Sequence, residues 1–354
     1  MTDRLASPRL SIVVPCFNEE GGIDEFLNRA ARAAGAAVGP DFEIVAVDDG
    51  SSDATWERIA VRSRDLPNLV GVRLMRNHGH QIAATAGLSV ARGERVLLID
   101  ADLQDPPELL LLMMPIMDRG ADVVYGQRSR RAGETRFKLT TAAAFYRILT
   151  RLTSVPIPRD TGDFRLMSRR VVDILLAMPE RDRFIRGMVS WVGGRQVALP
   201  YERDARFAGE TKYPLRKMVR FALDAITSFS TVPLRIVTWV GFASALLAAG
   251  LVAYTLAQWF AGHTVAGWSS LMAAIAGFFS IQFIGMGIMG EYVGRLVQEA
   301  KQRPMFMVDC VSRGGVSRPL DLLTAGMHPS ERRAAVERAL GSESGTAGRT
   351  GTDD

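Results

Sequence analysis

Two carboxylates close an apolar run in this 354-residue chain: "ERVLLIDAD" ends in Asp100-Ala101-Asp102, and Gln104 follows two residues later. Carboxylates at i and i+2 face one ligand if a strand breaks where they sit. Pro106 and Pro107 supply that break and open the next helix. Hard oxygen donors select Mg²⁺ or Mn²⁺, and such an ion bridges the oxygens of a diphosphate. Asp100, Asp102 and Gln104 therefore read as metal ligands, against the plainer reading of a solvated turn. A second acidic strand end, "VDDGSSD", places Asp48 and Asp49 where carboxylates can hydrogen-bond a base or a ribose. Ser51, Ser52 or Asp53 can instead cap the helix that begins near Ala54. His78 and His80 flank Gly79 in a turn. No third ligand stands at a familiar spacing, so a loop near the ligand is expected and not a zinc site.

These residues need a scaffold that brings strand ends together. Apolar runs at "RLSIVVPCF", "FEIVAVDDG", "LVGVRLM", "ERVLLIDAD" and "ADVVYGQR" alternate with helical patterns over Ile23–Ala34, Asp53–Asp65, Gln81–Ala91 and Pro107–Arg119. Continuous apolar strands alternating with helices predict an α/β fold, Rossmann-like, with a mostly parallel sheet covered on both faces. Ligands bind such sheets beyond the carboxyl ends of the strands. Asn18 and Glu19, Asp48 and Asp49, Asn77, and Asp100 and Asp102 all fall at those ends. The chain has no G-x-G-x-x-G at a strand–helix junction and no Walker A sequence, which argues against a dinucleotide-dependent dehydrogenase and a P-loop ATPase.

The rest of the chain changes character. Residues 130–213 are less regular and rich in arginine. A helix over Pro214–Val232 places Leu215, Met218, Ala222, Ile226 and Phe229 on one face, with Arg216, Lys217 and Arg220 largely off it, as in a helix lying in a membrane interface. Two apolar stretches follow, Ile236–Phe260 and Ser270–Met289. The first, at about 1.5 Å per residue, is roughly 37 Å of helix. Their linker, Ala261–Gly267, lacks Lys and Arg, whereas Arg235 precedes the hairpin and Arg295, Lys301 and Arg303 follow it. The positive-inside rule then puts both flanks in the cytoplasm. Gly277, Gly285, Gly287 and Gly290 allow close helix packing. The expected organisation is a catalytic domain over 1–213, an interfacial helix over 214–233, a two-helix transmembrane hairpin over 234–293, and a cytoplasmic segment over 294–354, disordered at its end.

A net charge of +5 admits nucleic acid, an anionic membrane or a phosphorylated substrate. The basic residues gather around the hairpin and in "YERDARFAGETKY", which favours the last two; no nucleic-acid partner is expected. The two cysteines, Cys16 and Cys310, form neither a disulfide framework nor a zinc spacing. No signal-peptide pattern opens the sequence, so the soluble part is expected in the cytoplasm.

"VVPCFNEE", "VDDGSSD", "RNHGHQIAATAGL", "DADLQDPPE" and "TGDFRL", in this order, resemble family 2 glycosyltransferases of GT-A fold, specifically the polyisoprenyl-phosphate glycosyltransferases. Dolichol-phosphate mannose synthase is a relative. Bactoprenol-phosphate glucosyltransferases are the nearer match, which "GEYVGRLVQEAKQRPMF" supports. The resemblance covers about residues 9–308. It implies a nucleotide-sugar donor, a UDP-hexose, held by Pro15, Asn18, Glu19, Asp48, Asp49, Asn77 and Gly79, and by Asp100, Ala101 and Asp102 with the Mg²⁺ or Mn²⁺. It implies a carboxylate near the acceptor phosphate, Asp163 with Asp160 as its rival. Arg165, Arg203, Arg206 and Lys212 would neutralise a polyprenyl phosphate. An inner-membrane, multi-pass, homotetrameric enzyme inverting the anomeric carbon is the expected whole. Glucose from UDP-glucose leads, with another UDP-sugar or GDP-mannose as the alternative. A non-catalytic polyprenyl-phosphate scaffold and a processive polysaccharide synthase are the rivals. The acidic set argues against the scaffold, and the lack of a Gln-x-x-Arg-Trp segment against the synthase.

Overall fold

A computed structural model describes residues 7–128, 161–202, 232–262, 267–319 and 334–335. The described chain divides into two compact units: one contains the sheet, including Pro304–Pro319, and the other the long helices.

The first unit is an α/β domain built on one nine-stranded sheet. Five apolar runs become β1 (Leu10–Cys16), β2 (Phe42–Asp48), β3 (Leu69–Leu74), β4 (Arg95–Leu98) and β5 (Val123–Arg128). Four helices stand where the periodicity predicts them: α1 (Ile23–Val38), α2 (Thr55–Asp65), α3 (His80–Val90) and α4 (Leu110–Asp118), the last preceded by a 3₁₀ turn at Pro107–Leu109. β4 is shorter than its apolar run, because Ile99 onward already belongs to the loop that carries the acidic pair.

The arginine-rich stretch holds elements that the pattern did not resolve: β6 (Thr161–Ser168), α5 (Arg169–Ala177), α6 (Ile185–Val192) and β7 (Gln196–Tyr201). Two further strands, β8 (Val308–Arg313) and β9 (Val316–Pro319), come from the C-terminal segment over 294–354, for which no strand was expected. The sheet order is β7-β5-β6-β4-β1-β2-β3-β8-β9. The central strands β3, β2, β1 and β4 are parallel, while β6 runs antiparallel between β4 and β5, and β8 antiparallel beside β3. From β1 the chain winds outward to β3 and then crosses to β4 on β1's other side. This topological switch opens a crevice between the carboxyl ends of β1 and β4.

Strand alternation divides the core. Leu10, Ile12, Val14 and Cys16 pack with Ile23, Phe26, Leu27 and Ala30 of α1 on one face. Val13 and Val47 point to the other face, against α3, where a Cβ on Gly87 would lie 2.4 Å from Val13 Cγ1. Glycine at 87, with Ala83, Ala84 and Ala86 buried beside it, lets α3 lie close on the strands. That approach brings His80 and Gln81, at the start of α3, to the strand ends. Gly50 does similar work in the turn after β2. Its φ is +66°, and an added Cβ would lie 2.6 Å from the Arg76 carbonyl carbon.

The second unit holds α7 (Val232–Phe260) and α8 (Trp268–Ala300), which pack on each other. Gly285 is the glycine at their contact, with an added Cβ reaching 3.0 Å from Val237 Cγ1; Gly277, Gly287 and Gly290 have nothing that near. Within α7, Ile236–Gln258 is long and apolar enough to cross a membrane, at a mean hydropathy of 2.1. It is the one described helix that meets that measure. α8 runs well past the expected Met289 into the charged stretch ending at Ala300.

Candidate active site at the carboxyl ends of the strands

The turns after β1 and β2 lock into each other. Asn18, with φ +56°, donates its backbone N–H to Ser51 Oγ at 3.0 Å and accepts from Ser52 N at 2.9 Å. Glu19 N donates to Thr55 Oγ1 at 2.8 Å. The cap of α2 is shared across the two loops: Asp53 accepts from Thr55 N, and Glu20 from Ala54 N, each at 3.0 Å. Burial would raise the Asp53 carboxyl, but the hydrogen bonds it accepts from Thr55 and Glu20 together hold it below its ordinary value.

Asp48 and Asp49 have separate tasks. Asp48 is fully buried, accepts from Ser51 N at 3.2 Å and lies 3.6 Å from Arg73 Nε. It belongs to the scaffold and does not face the crevice. Asp49 accepts the backbone N–H of His78 at Oδ1 and of Gly79 at Oδ2, both at 2.8 Å. It thereby fixes the Asn77–Gly79 turn, in which Asn77 is exposed and Gly79 has φ +93°. Burial pushes both carboxyls up, against the hydrogen bonds they accept.

Across the crevice, Asp100 and Asp102 end the run after β4. Asp102 accepts from the backbone N–H of Gln104 at 3.2 Å. Leu103 turns the loop with φ +58°, a costly backbone for leucine, and its side chain is buried with Ala101 in the core. Pro15 is buried in β1 beneath the crevice.

Asp163 comes from β6. Along that strand Phe164 and Leu166 join the core on the α1 side, so Asp163 and Arg165 project to the α3 side. His80 Nε2 sits 3.2 Å from Asp163 Oδ2 and 3.3 Å from Asp100 Oδ1, bridging the two carboxylates. Gln81 Nε2 donates to Asp163 Oδ2 at 2.8 Å, and Arg186 Nε to Asp163 Oδ1 at 2.8 Å. Burial would raise the Asp163 carboxyl, but Arg186 and His80 outweigh it and keep the group well below the usual range. Burial also opposes the charge on His80, yet Asp163 and Asp100 raise it to about 9. Asp100 is lifted by burial to about 6, with His80 opposing the rise.

The donor set fits a divalent ion. Asp100 Oδ1 is buried and accepts no hydrogen bond, with His80 Nε2 at 3.3 Å as its ion-pair partner, and carboxylates at 163, 105 and 102 still raise the electrostatic cost of its charge. A cation relieves that cost. Among the described residues no three His, Cys, Asp or Glu side chains form a closed cage. An ion that keeps water or takes diphosphate oxygens needs only one or two protein carboxylates.

The cations expected at the acceptor fall differently. Arg165 is buried and donates to Gly162 O at 2.9 Å and Asp163 O at 3.3 Å; burial lowers it to about 10. It braces β6 and does not open to the crevice. Asp160, Arg203, Arg206, Lys212 and residues 214–231 of the expected interfacial helix lie outside the described residues; its last residues, Val232 and Pro233, open α7 instead. Sequence reasoning missed Gln81 and Arg186 as site residues, and treated His80 only as part of a loop. Their partner Asp163 is 82 residues from Gln81, a contact that only the antiparallel insertion of β6 creates. The local signal was an arginine beside the apolar Ile185 at the opening of α6.

Comparison with known proteins agrees with this geometry. Residues 11–175 match the family described as glycosyl transferase family 2, and residues 232–296 the GtrB C-terminal hairpin. The uncharacterized glycosyltransferase YkcC of Bacillus subtilis (strain 168) is 44% identical over 84% of this chain and 92% of its own. The bactoprenol glucosyl transferase of Shigella phage SfII is 39% identical over 86% of this chain and 99% of its own. A prophage bactoprenol glucosyl transferase homolog of Escherichia coli (strain K12) is 39% identical over 86% of this chain and its whole length.

Proposed function

Because the chain belongs to glycosyltransferase family 2, we propose that it transfers a hexose, glucose from UDP-glucose, to polyprenyl phosphate at the cytoplasmic leaflet. The observation that carries the acceptor is the route of the chain. It leaves the sheet after β7 and rejoins the same sheet as β8, with α7 and α8 between. A folded sheet occupies one side of a bilayer. If α7 crosses, α8 must return, and the catalytic crevice stays on the side of both flanks. The relatives named bactoprenol glucosyl transferase support the same acceptor.

The proposed chemistry follows from charge. Pro15, Asn18, Glu19, Asp49, Asn77 and Gly79 line the nucleoside end. Asp100, Asp102 and Gln104 hold Mg²⁺ or Mn²⁺, which neutralises charge on the diphosphate when bound. Arg203, Arg206 and Lys212 receive the lipid phosphate. A phosphate oxygen of the acceptor attacks the anomeric carbon, the bond from that carbon to the diphosphate breaks, and the configuration inverts. A phosphate monoester has a second pKa of about 6 and is already largely ionised near neutrality, so a general base is not required. Asp163 is held as an anion and acts by placing His80. The Gly285 contact accounts for packing of α7 on α8; the glycines turned elsewhere are compatible with a homotetramer.

The test is a donor panel: purified protein, polyprenyl phosphate, and UDP-glucose, other UDP-hexoses or GDP-mannose, with the lipid product weighed by mass spectrometry. A hexosyl phospholipid from UDP-glucose is expected. Product from another donor alone replaces the sugar, and no lipid product from any donor overturns the acceptor.

A further inference from the structure

We infer that Arg186 is a positioning residue: it fixes the Asp163 carboxylate and thereby the distance between the acceptor-side and metal-side halves of the site. The inference rests on the proposed glycosyl transfer and deepens it.

The geometry is over-determined. Arg186 meets Asp163 with two nitrogens, Nε to Oδ1 at 2.8 Å and Nη2 to Oδ2 at 3.4 Å, and its Nη1 donates to Thr161 O at 3.1 Å. One guanidinium thus holds both the side chain and the backbone of β6. The helix bearing Arg186 is itself anchored. Ile185 and Met188 are buried, and Arg183 donates to Leu175 O and Met178 O at 2.7 Å each, tying the loop to the end of α5. Gln81 closes the ring: it donates to Asp163 Oδ2 and accepts from Ile185 N at 2.9 Å. The openings of α3 and α6 are thereby joined through one carboxylate. His80, the residue before Gln81, then reaches from Asp163 to Asp100.

The chain of contacts is Arg186, Asp163, His80, Asp100. Its first link sets the rest. Asp163 and Asp100 are anions in reach of one nitrogen, and they repel. Without the planar fork of Arg186, Asp163 loses its fixed orientation, His80 loses one anchor, and Asp100 is no longer held against β6. A plain ion pair for stability would not need this geometry, since a buried pair is often replaceable by apolar side chains at no loss of stability. Arg186 touches neither reacting group. Its effect on rate passes through Asp163.

The full-length protein in detergent tests this with Arg186→Gln, Arg186→Lys, Asp163→Asn and the double variant Arg186→Gln/Asp163→Asn. Arg186→Gln should lower kcat at least about 10-fold, with the affinity for UDP by calorimetry within about 2-fold of wild type. Arg186→Lys keeps the charge without the fork, so it should fold and recover only part of kcat. The double variant should be no slower than Asp163→Asn alone, because contacting residues that act as a unit are non-additive. It removes both charges, and so keeps the test open if Arg186→Gln alone does not fold. Losses that multiply in the double variant, full activity in Arg186→Lys, or UDP affinity falling in step with kcat would each overturn the inference. The same variants are read in slow UDP-glucose hydrolysis without lipid. A wild-type enzyme that ignores polyprenyl phosphate therefore removes the acceptor while the clamp is still judged.

Discussion

The two sides of the crevice are built from different materials. Around Asp49 the partners are backbone N–H groups, from His78 and Gly79, and the turns after β1 and β2 cross-link through Ser51, Ser52 and Thr55. Around Asp163 the partners are charged or amide side chains, from His80, Gln81 and Arg186. Backbone donors cannot move without unfolding a turn. Side chains can rotate and exchange partners. The side around Asp49 is thus pre-formed by the fold, whereas the side around Asp163 is held by a charge balance, on which the proposed cation and lipid phosphate would act.

The largest effect should come from the metal-side carboxylates. Asp102→Asn keeps the size of the side chain and loses its charge, and a metal contributes several kcal/mol to a charged transition state. A loss of at least about 100-fold in kcat, with the melting temperature nearly unchanged, is expected; EDTA should do the same to the wild type. Undiminished turnover in EDTA would remove the ion from the site.

Next comes the separation of the two sides. A charge-assisted contact to phosphate is worth roughly 1.5–3 kcal/mol, or about 10- to 150-fold. Arg206→Ala should raise the KM for polyprenyl phosphate by that amount and leave UDP binding alone. Asp49→Ala should weaken UDP binding and leave the lipid KM alone. Equal damage to both substrates by either variant would erase the distinction between the sides.

Smaller effects follow from pH. Asp100 must lose its proton to bind a metal, and burial lifts its pKa to about 6. Activity at limiting metal should fall as pH drops through about 6, and not near the 3.8 of an ordinary aspartate. His80 has the opposite sign. Its pKa is raised from 6.5 to about 9, so its contribution to stability is full below 6.5 and lost as pH rises through about 9. The melting temperature of His80→Asn should show a flatter decline over that range. An equal decline in both proteins would dissolve the charge balance around Asp163.

The difference between the sides also explains what could be read from the chain. The α/β alternation, the acidic pair after β4 and the loops after β1 and β2 follow from local patterns: apolar runs, strand-end carboxylates and cap residues. β6 is buried along almost its whole length, yet only Phe164, Leu166 and Met167 in it are apolar, and its antiparallel insertion between β4 and β5 is a long-range pairing with no periodic mark. Asp163 stood out only through the resemblance of "TGDFRL", and its partners at 81 and 186 did not stand out at all. Asp48 looked equivalent to Asp49, yet the β2 register places it against Arg73 and out of the crevice. β8 and β9 follow a long apolar hairpin, where a tail was the simpler reading.

A packing change should give the mildest result. Gly87→Ala places a methyl 2.4 Å from Val13 Cγ1, and overpacking of this kind costs about 1–3 kcal/mol. Thermal unfolding should show that loss together with a modest drop in kcat, because α3 carries His80 and Gln81. Stability lost without any change in kcat would uncouple the position of α3 from the site.

The most direct measurement is a single-turnover reaction of wild-type protein with UDP-glucose labelled in the sugar and polyprenyl phosphate, with Asp102→Asn alongside. The label should pass from UDP to the lipid phosphate in the wild type, with UDP formed in equal amount, and should stay on UDP in the variant over the same time. Label released as free glucose while the lipid stays unlabelled, or transfer at the same rate in both proteins, would contradict a glycosyl transfer organised between these two carboxylate clusters.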